Sequence, residues 1–384
     1  MILLRDFFKK LTNFYPMSSD IRIRKGLDIH LEGEADKVTK QLPLSPLYGI
    51  KPNDFHRIIP KLLLREGNEV KAGEALFFSK SDERILFPSP VSGTIKEIIR
   101  GERRKVLEIH IEPSKEQVFV NFGEKNIAQM EAEQIKEHLL KAGCWPFIKQ
   151  RPYDVIANPD GKPKAIFVSA CKTHPLAPDY DYILKGKEQQ LQTALTALSK
   201  LTTGKVHVSV FKDSSLSPFR NLKDIEIHNV SGPHPAGNVS TQIAKISPIN
   251  KGEVVWVVNP EDLVVIGELF LTGKVHLTRT VALTGERFTN PHYVTAIAGA
   301  QIGGVVANQL KEVANTRIIS GNVLTGTQVS ETGFLGFYDD QITAIPEGND
   351  YDLFGWAKPI SNKVSLTRAL TFSWLNPKKK YNLK

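Results

Sequence analysis

Residues 64–93 have the sequence LREGNEVKAGEALFFSKSDERILFPSPVSG, and this stretch decides the fold of the first part of the chain. Short apolar runs alternate in it with turn residues, and a proline-stiffened corner precedes Gly93. We expect Gly67, Gly73 and Gly93 to lie where strands turn sharply, with φ angles that other residues resist. The pattern therefore predicts half of a flattened β-barrel.

This pattern resembles the β-hammerhead of the lipoyl and biotinyl domains. In that family a lysine carries the cofactor, and its position, counted back from Gly93, falls at Asp82. Lys80 stands two positions away, and Ser79 and Ser81 beside it do not reproduce the acidic or Met-rich neighbours of a carrier hairpin. The resemblance therefore implies a barrel-sandwich hybrid without a swinging arm. A carrier domain modified at Lys80 is the alternative.

Composition excludes several classes of protein. The 384 residues carry 50 Lys and Arg against 41 Asp and Glu, a formal charge of +9, but the basic residues are scattered. A nucleic-acid interface needs clustered charge, so we expect no nucleic-acid partner. Cys144 and Cys171 are too far apart for a CxxC pair and suit a reducing compartment. No stretch reaches the roughly 18 consecutive apolar residues of a membrane span, so we expect a soluble or peripheral protein.

Residues 1–16 differ in pattern from the rest of the chain. Charges at Arg5, Asp6 and Lys9 stand where a secretory signal needs an apolar run, so we expect no cleaved signal. The apolar residues do share one helical face, which leaves a membrane-surface helix open. We favour Met17 as the natural start and residues 1–16 as an extension.

Residues 116–274 alternate strand and helix patterns. Lys164 to Ser169 and Lys205 to Val210 are short apolar runs typical of buried strands, and the Leu-, Ala- and Gln-rich stretch 189–201 between them is typical of a helix. Strand, helix, strand is the βαβ signature. This region is therefore predicted to be a Rossmann-like α/β domain with a parallel sheet.

The residues needed for cofactor chemistry are missing. The turn from Ser169 to Pro178 has no glycine, whereas a dinucleotide or flavin site needs a glycine-rich turn at which backbone N–H groups approach a phosphate. None of the ten histidines pairs with another at i+3 or i+4, and His228 and His234 are the closest candidates to each other. Two cysteines cannot hold an iron–sulfur cluster. We therefore expect no bound cofactor, no metal site and no catalytic residue.

The pattern changes again after Val275. Residues 281–285 and 316–321 are strand-like and flank a helix-like stretch, Val305 to Val313. This order predicts a β-grasp module over residues 275–331. Residues 332–384 alternate strand and turn patterns and end in a basic run.

One polar loop stands out as a candidate site. Two prolines and two glycines surround one histidine in the segment formed by Gly232, Pro233, His234, Pro235 and Gly237. A rigid loop of this kind can present an imidazole to a ligand or to a partner surface. The alternative is a structural turn with a solvent-exposed histidine.

Six ordered segments resemble the A subunits of the sodium-translocating NADH:quinone oxidoreductases. They are Ile23 to Asp28, Phe87 to Gly93, Arg151 to Tyr153, His174 to Asp179, Gly232 to Gly237 and Ile319 to Gly321. The resemblance implies three units. Residues 17–115 form the lipoyl-like unit, 116–274 an α/β domain related to the flavin-binding subunit of respiratory complex I, and 275–331 a soluble-ligand-binding β-grasp (SLBB).

The resemblance also implies a function. It indicates a subunit of a bacterial respiratory complex that oxidises NADH, reduces ubiquinone or another quinone, and pumps Na⁺. The subunit would lie peripherally on the cytoplasmic face of the inner membrane, against an integral membrane subunit. It would bind no redox cofactor, contribute to assembly, and contact quinone near His234. A flavin-binding subunit of the complex I type is the alternative.

The resemblance bears on both ends of the chain as well. The family starts near Met17, which supports the interpretation of residues 1–16 as an extension. It also continues past Lys384 into a helical segment that this chain is expected to lack.

Overall fold

The computed structural model describes residues 19–349, 353–354 and 380–381. The expected extension, residues 1–16, and the predicted strands and turns from Trp356 to Phe372 lie outside the described residues. Within them, no helix is both long and apolar enough to cross a membrane.

In chain order the strands are β1 (Ser19–Arg22), β2 (Asp36–Gln41), β3 (Tyr48–Ile50), β4 (Pro60–Leu62), β5 (Glu69–Val70), β6 (Ala75–Ser79), β7 (Asp82–Pro88), β8 (Gly93–Arg100), β9 (Val106–Pro113), β10 (Lys149–Arg151), β11 (Val155–Ile156), β12 (Ile166–Ser169), β13 (Val206–Phe211), β14 (Glu226–Ser231), β15 (Val255–Val257), β16 (Thr278–Thr284), β17 (His292–Ile297), β18 (Thr316–Ser320), β19 (Thr327–Val329) and β20 (Gln341–Pro346). The α-helices are α1 (Ala132–Lys141), α2 (Tyr180–Ile183), α3 (Glu188–Ser199), α4 (Val239–Ile246), α5 (Pro260–Thr272) and α6 (Ile302–Val306). Short 3₁₀ turns lie at Pro52–Asp54, Glu102–Arg104, Ile127–Gln129, Trp145–Phe147 and Pro218–Asn221.

The first unit is a sandwich of two small antiparallel sheets, with strand orders β3-β9-β8-β5 and β4-β6-β7. Phe77 of β6 and Phe87 of β7 stack with ring centroids 4.4 Å apart, and Phe55 meets Phe87 edge-on. Ile95 and Ile111 of the other sheet join the same buried core. The barrel-sandwich hybrid predicted from residues 64–93 is therefore confirmed.

The three glycines of that stretch are needed for two different reasons. Gly67 and Gly73 have φ angles of 81° and 84°, in the left-handed region that was predicted. The prediction was wrong for Gly93, whose φ is not in that region. A Cβ at Gly93 would instead lie 2.0 Å from the carbonyl oxygen of Glu112 on β9. Gly93 is therefore required because two strands approach closely.

The hairpin between β6 and β7 contains the position of the carrier lysine. Ser79 pairs with Asp82 across the turn, and Lys80 lies exposed within it. The Asp82 carboxylate binds the guanidinium of Arg84, and the same guanidinium binds Asp160 of the second unit, both at 2.7 Å. The residue at the carrier position is thus one end of an ion-pair chain that joins the hairpin to the neighbouring unit.

The second unit is built on a seven-stranded sheet with the order β1-β14-β13-β12-β15-β10-β11. Its first five strands are parallel and its last two pairings, β15 with β10 and β10 with β11, are antiparallel, which confirms the predicted parallel sheet. Helices α3 and α5 pack together on one face, where a Cβ at Gly267 would lie 2.0 Å from the carbonyl oxygen of Gln190. Helix α4 covers the other face through Ile243, which packs with Phe167. Strand order reverses between β12 and β15, and open α/β sheets commonly bind ligands at such a point.

The third unit has a sheet with the order β19-β18-β20-β16-β17-β2. The strands predicted at 281–285 and 316–321 are present as β16 and β18. The helix predicted from Val305 to Val313 is instead α6, Ile302–Val306. The chain leaves helical geometry directly afterwards, where Asn308 has a φ of 57°.

Sheet membership crosses the predicted unit boundaries. Strand β1, in the predicted first unit 17–115, pairs with β14 of the α/β sheet, and β2 pairs with β17 of the third sheet. Strand β20, beyond the predicted end of the β-grasp at residue 331, lies between β18 and β16. Local patterns cannot reveal this arrangement, because strand pairing joins segments that are far apart in the chain.

We predict that Gly93→Ala lowers the free energy of unfolding of the chain by at least about 2 kcal/mol, because its new methyl group would meet backbone. Gly67→Ala is the control, since its Cβ would meet nothing within 4 Å and only its φ is strained. We expect the control to cost about 1 kcal/mol. Urea denaturation of both variants measures the difference, and equal losses would contradict the close-approach explanation.

Candidate functional site

Two loops meet at the carboxyl edge of the parallel sheet. Residues 170–179 follow β12, and residues 232–238 follow β14. The Oγ1 atom of Thr173 accepts a hydrogen bond from the backbone N–H of Gly237 at 2.9 Å and lies 3.1 Å from Nδ1 of His234. The structure therefore brings the predicted candidate loop together with the turn that lacks a glycine.

The loop around His234 is held on its other side by the segment after β1. The backbone N–H of His234 donates to Oδ1 of Asp28 at 2.9 Å, and Leu27 N–H donates to the His234 carbonyl at 3.0 Å. A Cβ at Gly26 would lie 2.0 Å from that carbonyl oxygen. The loop is thus braced from two sides, and the Nδ1 face of the half-buried imidazole is turned toward Thr173.

The other predicted site residues shape this loop. Gly232 has a φ of 121°, and a Cβ there would lie 2.1 Å from the carbonyl oxygen of Ile23. The carbonyls of Pro233 and Pro235 accept hydrogen bonds from Ala236 and Asn238, which close two consecutive turns.

A groove of about 230 Å³ lies beside the two loops. Apolar side chains and polar groups line it together: Ile29, Leu31, Pro175, Leu176 and Ala177, with Asp28, His30, Glu34, Thr173, His174 and Lys380. Burial and the nearby Lys172 lower the pKa of His174 to about 4, so its ring is neutral at pH 7. A neutral imidazole can donate one hydrogen bond and accept another.

Carboxylates occupy both helix starts at the point where strand order reverses. Helix α2 follows β12, and the side chain of Asp179 accepts hydrogen bonds from the N–H groups of Asp181 and Tyr182. Helix α5 follows β15 and has Glu261 and Asp262 in its first turn. A phosphate at such a helix start needs free N–H groups and a positive field. At α2 the side chain of Asp179 takes two of these N–H groups, whereas at α5 the cap residue Asn259 makes no side-chain hydrogen bond to them.

The same carboxylates join the second unit to the third. Asp262 binds the Arg279 guanidinium of β16 at 2.7 Å, with side chains that are 0% and 2% exposed. Oε1 of Glu261 accepts a hydrogen bond from the backbone N–H of Thr280 at 2.9 Å. Burial and the charge of Asp340 raise the pKa of Glu261 to about 7, although Arg279 acts in the opposite direction.

Asp340, just before β20, extends this interface. Its carboxylate accepts hydrogen bonds from Nζ of Lys172 at 2.5 Å and from the hydroxyl of Tyr180 at 2.8 Å. Burial acts to raise the pKa of Asp340, but these two partners hold it below its usual value. Sequence analysis missed Lys172 and Asp340, because they are 168 positions apart and neither belongs to a motif.

A second cavity, of about 280 Å³, lies between the β2–β3 connection and the third sheet. Its walls are mostly apolar and include Leu42, Pro43, Leu44, Tyr48, Ile297 and Val305. None of the five predicted site residues, Gly232, Pro233, His234, Pro235 and Gly237, lines this cavity or the groove itself.

Comparison with known families matches the three units in order. The N-terminal barrel-sandwich hybrid domain of NqrA matches residues 21–114, the second alpha/beta domain of NqrA matches residues 130–275, and the NQRA C-terminal (SLBB) domain matches residues 280–331.

Full-length relatives agree with these matches. The A subunit of the Na(+)-translocating NADH-quinone reductase of Yersinia pseudotuberculosis is 37% identical over 351 residues, which cover 91% of this chain and 78% of that protein. The corresponding protein of Neisseria meningitidis is 34% identical over 362 residues, which cover 93% and 80%. Among solved structures, a chain of an NAD+-reducing NiFe hydrogenase in the H2-reduced state overlaps 49% of this chain and 41% of its own, at 12% identity and a TM-score of 0.37.

We predict that Lys172→Met lowers the free energy of unfolding by about 2 kcal/mol or more, because it leaves the buried Asp340 carboxylate without its cation. Adding Asp340→Asn is expected to restore a large part of the loss. Urea denaturation of the single and double variants measures this coupling. Lys212→Met, which breaks the exposed ion pair with Asp20, is the control and should change stability little. Additive losses in the double variant would contradict the pairing.

We also predict that Glu261→Gln changes how stability depends on pH. The folded pKa of Glu261, about 7, is above its value of 4.5 in an unfolded chain. This carboxyl therefore stabilises the fold fully below pH 4.5, and its contribution is lost as the pH rises through 7. Between pH 5 and pH 8, the free energy of unfolding of the variant relative to that of the wild type should therefore increase by about 2–3 kcal/mol.

Urea denaturation at pH 5 and pH 8 measures this gain. Subtracting the wild-type curve removes the contribution of the histidines, which titrate in both proteins. Glu124→Gln, at an exposed position, is the control. A constant difference between Glu261→Gln and wild type at the two pH values would disprove the assignment.

Proposed function

The chain belongs to the family of the A subunits of Na⁺-translocating NADH-quinone reductases, and from this premise we propose three finer features of its work within that complex. It lies peripherally on the cytoplasmic face of a bacterial membrane, against an integral membrane subunit. It holds no redox cofactor of its own. It contacts ubiquinone or another quinone at the groove beside the loop around His234.

The occupied helix starts support a subunit without its own flavin or dinucleotide. Asp179 and Asp262 place negative charge in the first turns of helices α2 and α5, which disfavours a phosphate there. The ion pair between Asp262 and Arg279 also fills space at the point where strand order reverses. A flavin-binding subunit of the complex I type would have to break these contacts. The colour of the purified chain tests this alternative, since bound flavin absorbs visible light.

The ion-pair chain at the β6–β7 hairpin weakens the carrier alternative. The carrier position holds Asp82 in place of lysine, and its carboxylate is paired with Arg84, which also binds Asp160 of the second unit. The exposed Lys80 is the residue that would be modified. Mass spectrometry of the native protein decides the question, because a carrier would show added mass on Lys80.

The observation that carries the quinone proposal is the mixed lining of the groove. A quinone ring needs apolar walls and a few polar groups that bind its carbonyl oxygens. Leu31, Pro175 and Leu176 provide apolar walls, and the neutral ring of His174 provides a hydrogen-bond donor. Thr173 lines the groove and also contacts His234, so the braced loop positions one wall.

We predict that a photoreactive quinone analogue, added to the assembled reductase, labels residues 27–34 and 173–177 of this chain. His174→Phe and His234→Ala are each expected to reduce this labelling several-fold, the first by removing a donor and the second by releasing Thr173. Leu44→Ala, in the second cavity, is the matched control and should leave the labelling unchanged.

Two results of this experiment would contradict the proposal. Labelling confined to residues 41–48 and 295–305 would move the contact to the second cavity. Labelling confined to other subunits would mean that this chain does not contact quinone and that its role is in assembly.

A further inference from the structure

Three side chains that the proposed function does not use meet on the α/β sheet. His207 lies on β13, and Glu226 and His228 lie on the neighbouring parallel strand β14. His207 is opposite Glu226 in the strand register, and its ring lies 4.9 Å from that of Phe167, which packs with α4. Since alternate residues of a strand share a face, all three side chains lie on the face that α4 covers.

One ligand atom from each of the three side chains lies within 4.8 Å of the other two. Nδ1 of His207 lies 3.0 Å from Nε2 of His228 and 3.4 Å from Oε2 of Glu226. In a tetrahedral zinc site with bonds of about 2.0–2.1 Å, neighbouring ligand atoms are about 3.3 Å apart. Small shifts of the side chains would therefore admit an ion between them.

Burial and protonation also suit a metal. The two imidazoles are 8% and 5% exposed, while the Glu226 side chain is 40% exposed and opens the cluster to solvent. Burial lowers the pKa of His207 to about 4 and also lowers the pKa of His228. Burial of both rings disfavours their protonated forms, and the neutral imidazole is the form that binds metal ions.

The cluster is separate from the candidate site. It lies near the amino ends of β13 and β14, whereas the loops around His234 and Thr173 follow carboxyl ends of the sheet. Sequence spacing indicated His228 and His234 as the closest candidates to each other, but the structure pairs His228 with His207 instead. The 21 positions between these two histidines span a strand connection, so no helical spacing could reveal them.

We propose that His207, Glu226 and His228 form a binding site for one first-row divalent cation of the zinc type, with water as the fourth ligand. Two imidazoles and one carboxylate are the donor set that such cations accept, and an exposed side admits the water. The bound ion links strand β13 to strand β14 through ligands from both. Because Ser19 of β1 pairs with His228, the ion also stabilises the edge at which the first described strand joins the sheet.

Metal titration of the full-length chain, made without an affinity tag and stripped with a chelator, tests the proposal. Co²⁺ is expected to bind in one equivalent with visible d–d absorption, and Zn²⁺ to displace it with a micromolar or lower Kd. His228→Ala and Glu226→Gln are each expected to weaken Zn²⁺ binding at least about 10-fold. Glu226→Gln keeps the shape of a half-exposed side chain, so it decides the question if His228→Ala fails to fold.

His110→Ala is the matched control. His110 lies 2.8 Å from Glu108 in the first unit and provides a histidine–carboxylate pair outside the proposed site. Its removal should leave Zn²⁺ affinity unchanged. The proposal is overturned if the wild-type chain shows no saturable binding, if Glu226→Gln binds as tightly as wild type, or if only His110→Ala loses the metal. In those cases His207 and His228 form a structural hydrogen bond only.

Discussion

The ion pair between Asp262 and Arg279 is the constraint on which the arrangement of the second and third units depends. Both side chains are almost completely removed from water, at 0% and 2% exposure. Removing a charge from water costs several kcal/mol, and a buried ion left alone would bear that cost without compensation. Helix α5 and strand β16, which carry these two residues, must therefore stay together. A second ion pair, between Asp340 and Lys172, links the residue before β20 to the loop after β12.

This interface uses the part of an α/β sheet that commonly binds a ligand. Both helices at the reversal of strand order begin with carboxylates, and those of α5 face the third unit rather than an open crevice. Contacts within the chain, between Asp262 and Arg279 and between Glu261 and the backbone of Thr280, stabilise this position. Such a scaffold suits a subunit that presents fixed surfaces to its partners. It is also consistent with a quinone contact at the rim of the sheet, where the braced loop around His234 meets an apolar groove.

The fold was predictable to the extent that it depends on local chemistry. Gly67 and Gly73 have the left-handed φ angles that their place in the strand–turn pattern indicated. The βαβ pattern of the second unit predicted parallel strands, and β12 and β13 do pair in parallel. Predictions were weaker where the need for a residue, or the position of a strand, is set by residues far away in the chain. Gly93 is required by the carbonyl of Glu112, and β20 is placed by β16 and β18 rather than by its own sequence.

By itself, the sequence determined the types of the three units, the rigid loop around His234 and, through six ordered segments, the family. These follow from periodicity, turn residues and motifs, which act between near neighbours in the chain. Only the tertiary structure decided which charges pair across units and which histidines meet. Lys172 reaches Asp340 over 168 positions, and His207 reaches His228 over 21. Such contacts depend on strand order and register, which are set when distant apolar faces are buried together. Residues 64–93 illustrate both kinds of feature. Their local pattern predicted the sandwich, whereas the ion pair between Arg84 and Asp160 depends on the tertiary structure.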